Sequence, residues 1–519
     1  MLARIKAGAV LGIEAYLVEV EVDISFGLTA FRIVGLPDGA VREARLRIPS
    51  ALENAGYEMP QKRITVNLAP ADIRKDGTAF DLPMAVGTLA AYGALPHQRP
   101  GFSLEDYLFV GELNLNGEVR SIRGALSLAV MARDEGLRGI ILPQENAAEA
   151  AVVSDIEVLG VRHLSEVTAY VRGELAIEPA AAELVGEDGQ ECGNRIDFSE
   201  VAGQESVKRA LEVAAAGGHN VLLIGPPGSG KSMLAKRIPT ILPGMTFEEA
   251  LETTKIYSVT GQLGADEGLI RRRPFRGPHH TISDVGLVGG GSGMPRPGEV
   301  SLAHNGVLFL DEVPEFRRNA LEVLRQPLED GCVTISRSLM TLNYPANIML
   351  IAAMNPCPCG YFGAAKKRCS CGQERVRDYR NRISGPLLDR IDIHVEVPAV
   401  PYRKLKAAGK GECSRQIQAR VQRARQVQRQ RFAGGSTYAN SQMRPHELRA
   451  YCKIDEAGHD LMEMVVDRLG MSARAYDRIL KVARTIADLE QSPQIKASHI
   501  AEAIQYRSMD RGLGEASAA

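Results

Sequence analysis

The chain has 519 residues, with 62 Lys and Arg against 63 Asp and Glu, a formal net charge of −1, and 45% hydrophobic residues. At ~150 residues per domain that length predicts about three domains, and the near-neutral balance excludes bulk basicity as a source of affinity for anionic partners, leaving only local patches. No apolar run reaches the ~18 residues that span a bilayer, and Glu14 interrupts the N-terminal stretch, so no membrane partner and a cytoplasmic location are expected. In that compartment clustered cysteines point to metal or chemistry rather than disulfides.

Residues 1–175 alternate β-branched and helical runs. VEVEVDI, FRIVGLP, ITVNLAP, YLFVGEL and GIILP predict strands, and Ala40–Ala55 and Ala125–Glu135 predict helices, together an α/β unit. Within it, RITVNLAPADIRKDGTAFDLPMAVGTLAA and GELNLNGEVRSIRGALSLAVMARDEGLRGIILPQEN resemble the proteolytic domain of Lon-type proteases. The resemblance implies the ribosomal protein S5 domain 2-like fold. Those proteases use a Ser–Lys dyad, in which Lys takes the proton of the attacking Ser. Aligned on Lys75-Asp76-Gly77, the serine position is Ala79; aligned on Gly117-Glu118-Val119, the lysine position is Leu128. A structural or oligomerising unit without protease activity is therefore expected. Thr78 is a conceivable replacement nucleophile, but the sequence places no base beside it.

Residues 176–197 are acidic, rich in small residues and weakly patterned, and predict a linker. A second strand–helix unit follows over 198–400. In NVLLIGPPGSGKSMLAKRI, an apolar strand leads into Gly225, Pro226, Pro227, Gly228, Ser229, Gly230, Lys231 and Ser232, which fit G-x-x-x-x-G-K-[ST] before a helix. Glycines let backbone amides turn around a phosphate, Lys231 would reach the β- and γ-phosphates of ATP, and the Ser232 hydroxyl would bind Mg²⁺. Downstream, the buried strand of GVLFLDEVPEF ends in Asp311, expected to hold Mg²⁺ through water, and Glu312, expected to polarise the attacking water.

These motifs resemble the AAA+ ATPase modules of the magnesium-chelatase group, which implies a P-loop αβα sandwich with a C-terminal helical lid. By that resemblance NIMLIAAMNP is the sensor-1 strand, with Asn355 orienting water. LLDRIDIHVEV carries the arginine finger, Arg390, which would reach a neighbouring subunit's γ-phosphate. MSARAYDRILKVARTIADL is the sensor-2 helix, with Arg474 closing on ATP in cis. A surface ion pair is the plain alternative for either arginine.

Four of the eight cysteines fall in one insert, 357–371, as Cys357, Cys359, Cys369 and Cys371. The nine-residue gap between the pairs can fold back and bring four thiolates around structural Zn²⁺. The tight Cys-x-Cys spacing leaves another metal, or none, open. Lys366, Lys367 and Arg368 at the tip would face DNA or offset the negative charge of the site.

Residues 401–445 are polar and basic, and the lid extends over 446–510. RQIQARVQRARQVQRQRF holds six arginines and no acid, with Ile417, Val421, Ala424 and Val427 at helical spacing. Arg420 and Arg423 are candidate phosphate contacts, although a solvated basic helix packed on the lid fits equally well. Two further candidates are Arg337, in a predicted hairpin within GCVTISRSLMTLNYPANIML, and Arg296, in the glycine-rich insert LVGGGSGMPRPGEVSL. His279-His280 reads as a hydrogen-bonded turn rather than a metal site.

A Lon-like front unit, a chelatase-type ATPase with a Cys-rich insert and a helical lid together resemble the ComM/YifB family. Membership implies a hexameric ring helicase that drives branch migration of recombination intermediates in natural transformation, acting on single-stranded or branched DNA. The alternative is a chelatase-like remodeller of a protein or metal-insertion complex.

Overall fold

The structure is a computed structural model that describes all residues except 1, 96–98, 182–195, 265–266, 292–293, 338–339, 364–366, 401–410, 436, 470–472 and 508–519. Most of the predicted linker, Lys366, the start of the basic segment and the end of the lid thus lie outside the described residues.

The front unit is built on a seven-stranded sheet in the order Ala30–Val34, Arg63–Ala69, Glu14–Ser25, Leu2–Leu11, Tyr107–Phe109, Gly139–Pro143, Glu157–Val161. Arg63–Ala69 shows why one face is covered: alternate residues Ile64, Val66 and Leu68 are buried, as period-two patterning requires. The helix Gly39–Asn54 starts where the Asp38 carboxylate accepts the Val41 amide at 2.7 Å. The elements not assigned from sequence include the strand Glu157–Val161 and the helix Leu164–Arg172 as well as two that lie earlier in the chain. Leu2–Leu11 is a strand paired antiparallel with Glu14–Ser25. Asp81–Tyr92 is a helix buried on almost every side, so it lacks the polar face that marks a helix in sequence.

The second unit has five strands, all parallel, in the order Phe275–Arg276, Val307–Leu310, Met349–Met354, Val221–Ile224, Ile393–Glu396. The three middle strands are apolar throughout, as expected of a parallel sheet covered on both faces. Helices Ser414–Arg431, Pro445–Tyr451, Glu456–Leu469, Ala473–Leu489 and Ala497–Gln505 form the C-terminal bundle. Their apolar residues, including Ile417, Val421, Ile479 and Ile486, share one buried cluster with Val221, Leu223 and Ile351 of the sheet. The lid is thus packed into the same core as the strand that carries the phosphate loop.

The front unit touches the second at defined points. Ile13, in the turn between the first two strands, is buried in the cluster that holds Leu310, Leu342 and Ile256. Lys255 pairs with Glu14 at 3.0 Å, and the Gly124 amide donates to the Ser258 carbonyl at 3.2 Å. No helix among the described residues is long and apolar enough to cross a membrane.

Candidate nucleotide site and its neighbours

The strand Val221–Ile224 is wholly buried and delivers the chain to a loop whose shape depends on missing side chains. A Cβ on Gly225 would lie 2.2 Å from the Val397 carbonyl oxygen, and Gly230, at φ +93°, opens the helix Lys231–Arg237. The Lys231 amine donates to the carbonyls of Gly225 (2.7 Å) and Pro226 (3.1 Å) and to Asn355 Oδ1 (3.1 Å). Burial pushes its pKa down, against the pull of Asp311 and Glu312. The Ser232 hydroxyl donates to Asp311 Oδ2 at 2.6 Å. Pro227–Met233, Asp311, Glu312, Met354 and Asn355 together line a cavity of about 380 Å³.

All the residues assigned from sequence to the phosphate loop and its carboxylates therefore meet in one place, except that Gly225 and Pro226 form its floor through their carbonyls. Adjacent parallel strands bring them there: Val307–Leu310 ends in Asp311 and Met349–Met354 ends before Asn355. Ser232 and Asp311 supply two hard oxygen donors in contact, which is the donor chemistry Mg²⁺ takes. Glu312 is itself in the left-handed region, at φ +54°. Its carboxylate lies 3.8 Å from His280 Nδ1, a neighbour that sequence reading missed because the two residues are far apart in the chain. His279 forms the expected turn, with Nδ1 3.0 Å from the Thr281 hydroxyl.

Neither predicted arginine lines the cavity. Arg390 is 8% exposed; its guanidinium donates to the Pro386 carbonyl at 2.7 Å and pairs with Glu329. Arg474 is exposed, in the first turn of Ala473–Leu489, and is not among the residues that line the cavity. Arg478, one turn further on, pairs with buried Asp392, and Arg484 on the same helix is buried against Asp488. His219 bonds the other Asp392 oxygen at 3.0 Å and the Thr485 hydroxyl at 2.8 Å. Burial pushes Asp392 up, but Arg478 and His219 outweigh it and hold the carboxyl well below the usual range.

The four cysteines converge. Cys357 Sγ lies 3.3 Å from Cys359 and 3.7 Å from Cys369, Cys359 lies 3.5 Å from Cys369, and all four sulfurs fall within 4.8 Å of one another. Tetrahedral Zn–S bonds of ~2.3 Å put sulfurs about 3.8 Å apart, so the donor set fits such an ion. Amides of Tyr361 and Ser370 hold the Cys359 thiol down at about 5. Among the described residues this is the one cluster of three or more His, Cys, Asp or Glu side chains that could share a metal ion. At the loop tip, Lys367 lies over the Tyr361 ring, and Arg368 is exposed.

Two short hairpins lie against each other, one carrying Arg296 and the other Arg337. Arg296 pairs with Gly290 across the strands Gly289–Gly290 and Arg296–Pro297. The Arg337 guanidinium, at the end of the hairpin Cys332–Ser336 and Thr341–Pro345, would lie 3.3 Å from a Cβ on Gly290. Tyr344 locks the hairpins by donating to the Pro295 carbonyl at 2.5 Å, and both arginines are exposed. The basic helix behaves differently. Arg420 is held by Glu212 and Glu412, so its charge is already matched, whereas Arg423 is exposed. Arg425 is half-buried, donating to the Ala215 and Tyr438 carbonyls, with its pKa pushed down to about 9 by desolvation, and Arg431 bonds Asp488. Val427 is exposed; Gln428 takes the buried position and donates to the Ala216 carbonyl at 3.1 Å.

In the front unit, Leu128 is buried with its methyl against Gly8, and no lysine stands in its place. Thr78 does have a partner the sequence did not reveal: its hydroxyl donates to the Glu112 carboxylate. A carboxylate is a much weaker base than the lysine amine of a Ser–Lys dyad.

A buried parallel sheet, a phosphate loop and a paired Ser232–Asp311 define the class, a P-loop nucleotide-binding protein. The family model for magnesium chelatase subunit ChlI matches residues 197–405, a second for subunit ChlI of Mg-chelatase matches 20–146, and that for the ChlI C-terminal region matches 411–507. The chain is 44% identical to competence protein ComM of Haemophilus influenzae over 516 residues, covering 99% of this chain and 98% of that one. It is also 44% identical to protein YifB of Escherichia coli over 514 residues, with the same coverage. Lon protease 2 of Bacillus subtilis shares 28% identity over 200 residues, 33% of this chain and 35% of that one. The chain belongs to the ComM/YifB family of Mg-chelatase-like proteins.

Proposed function

We propose that this protein is an ATP-hydrolysing ring motor that acts on single-stranded or branched DNA, as a branch-migration helicase in recombination during natural transformation. The observation that carries the DNA reading is the placement of exposed Arg296 and Arg337 on two hairpins joined by the Tyr344–Pro295 bond. The name competence protein borne by the Haemophilus relative supports it.

In this reading Lys231 leaves its carbonyl partners for the β- and γ-phosphates, and Ser232 and Asp311 hold Mg²⁺, which neutralises phosphate charge. Glu312 takes the proton of the attacking water, and Asn355, already fixed by Lys231, orients that water. Arg390 acts on the neighbouring subunit's nucleotide, which requires it to leave Glu329 in a hexameric ring. Zn²⁺ on the four cysteines is structural, since four thiolates leave no open coordination position. Arg423, Arg296 and Arg337 are the DNA contacts; Arg420 is left out because two carboxylates hold it.

The test is ATPase activity and strand displacement on single-stranded, duplex and four-way DNA at stated salt, with Lys231→Ala as control. Branched DNA should stimulate the wild type, and the variant should displace nothing; equal displacement by both would sink the proposal. The second reading, a chelatase-like remodeller, is favoured by the ChlI family match extending over residues 20–146 as well as the ATPase. ATPase activity indifferent to DNA and stimulated by a protein would select it.

A further inference from the structure

We propose that the four-cysteine loop positions the phosphate-binding loop, acting through Gly360 against Pro227. This deepens the nucleotide and zinc reading above and rests on it. Gly360 sits at φ +82°, and a Cβ there would fall 2.5 Å from Pro227 Cδ and 2.7 Å from Cγ, closer than real contacts allow. The Gly360 backbone therefore forms an outer wall of the phosphate loop, facing a residue that lines the cavity.

The wall is set by the cysteines. The Gly360 amide donates to the Cys357 carbonyl at 2.9 Å, and the Phe362 amide donates to Cys357 Sγ at 3.3 Å. Arg380 braces the turn from behind, donating to the Pro356 carbonyl at 3.2 Å and lying 5.1 Å from the Phe362 ring centre. Cys357 also follows Asn355 by two residues, so one short segment reaches both the lysine partner and the wall. Gathering four thiolates on one ion holds the turn against Pro227 and keeps the loop amides converged on phosphate. Releasing the ion loosens the wall, and nucleotide affinity falls. The loop thus gives metal occupancy a direct line to the ATP site, with no subunit contact required.

A double-mutant cycle tests this, read by titration with a fluorescent ADP analogue and by zinc content per chain. Gly360→Ala should weaken binding about tenfold, with zinc content and far-UV circular dichroism unchanged. Gly363→Ala controls for backbone strain: it has a similar φ of +76° in the same loop but nothing within 4 Å of its Cβ, and should bind as the wild type does. In a Pro227→Ala background, which removes the atoms the new methyl would strike, Gly360→Ala should have no further effect. Chelator-stripped wild type should lose affinity by a similar factor. If Gly360→Ala binds like wild type, or weakens binding equally in both backgrounds, the positioning role is overturned. If stripped and zinc-loaded proteins bind alike, the link to the metal is overturned. A wild type that binds no nucleotide would instead overturn the ATPase reading together with this one.

Discussion

At the residue scale, the cavity separates binding from hydrolysis. Lys231 is held by two carbonyls and Asn355, whereas Glu312 is half-exposed and makes no contact with the lysine amine. Glu312→Gln should therefore leave nucleotide affinity within a few-fold while hydrolysis falls by about 10²–10⁴, the usual contribution of a positioned base. Phosphate release alongside equilibrium binding checks this; a parallel loss of both would assign Glu312 to binding instead. The motif residues were legible in sequence because each chemical role demands a residue type at fixed spacing. His280 beside Glu312 and Glu112 beside Thr78 were not, because both contacts cross between elements.

At the scale of elements, two buried carboxylates carry opposite pH signatures. Asp392 fastens the lid helix Ala473–Leu489 to the sheet through Arg478 and His219. Its folded pKa is depressed, so the stability it contributes is present above the unfolded value near 4 and lost only as pH falls through the folded one. Asp392→Asn leaves Arg478 unpaired and should lower stability by roughly 3 kcal/mol near neutral pH, seen as a lower thermal midpoint. Asp81, at the start of the buried helix Asp81–Tyr92, is the reverse case: burial outweighs Arg47 and raises its pKa to about 6. Its folded state binds the proton more tightly, so this contribution is full below the unfolded value near 4 and is lost as pH rises through about 6. From pH 7 to pH 5 Asp81 should add about 1 kcal/mol of stability, so over that interval the unfolding free energy of Asp81→Asn, measured by denaturant titration, should rise about 1 kcal/mol less than that of the wild type.

At the scale of the whole molecule, the ATP cavity contains no arginine from its own chain among the described residues. The proposed ring supplies Arg390 from the next subunit, and mixing variants can detect this. Arg390→Ala and Lys231→Ala should each abolish turnover alone. Mixed before assembly, they should regain part of the wild-type rate, because some interfaces then pair an intact Lys231 with an intact Arg390. No recovery in mixed rings of normal size would place Arg390 in cis or outside catalysis. Within the chain, Ile13 and Glu14 seat the front unit on the second unit.

The sequence by itself determined the phosphate loop, its two carboxylates, the clustered cysteines and the strand–helix alternation, because local spacing encodes each of them. By its resemblance to Lon-type proteases, it put Ala79 and Leu128 where the dyad is expected, neither of which can act as nucleophile or base. Tertiary structure alone decided which charges remain available. Six arginines on one helix look equivalent in sequence, yet Arg420 is matched by Glu212 and Glu412, Arg425 is half-buried on two carbonyls, and Arg423 faces water. It likewise decided that Arg478 rather than Arg474 faces inward, and that the cysteine loop abuts Pro227. The physical reason is common to all three. Burial and pairing are set by what packs from elsewhere in the chain, and no local pattern records that.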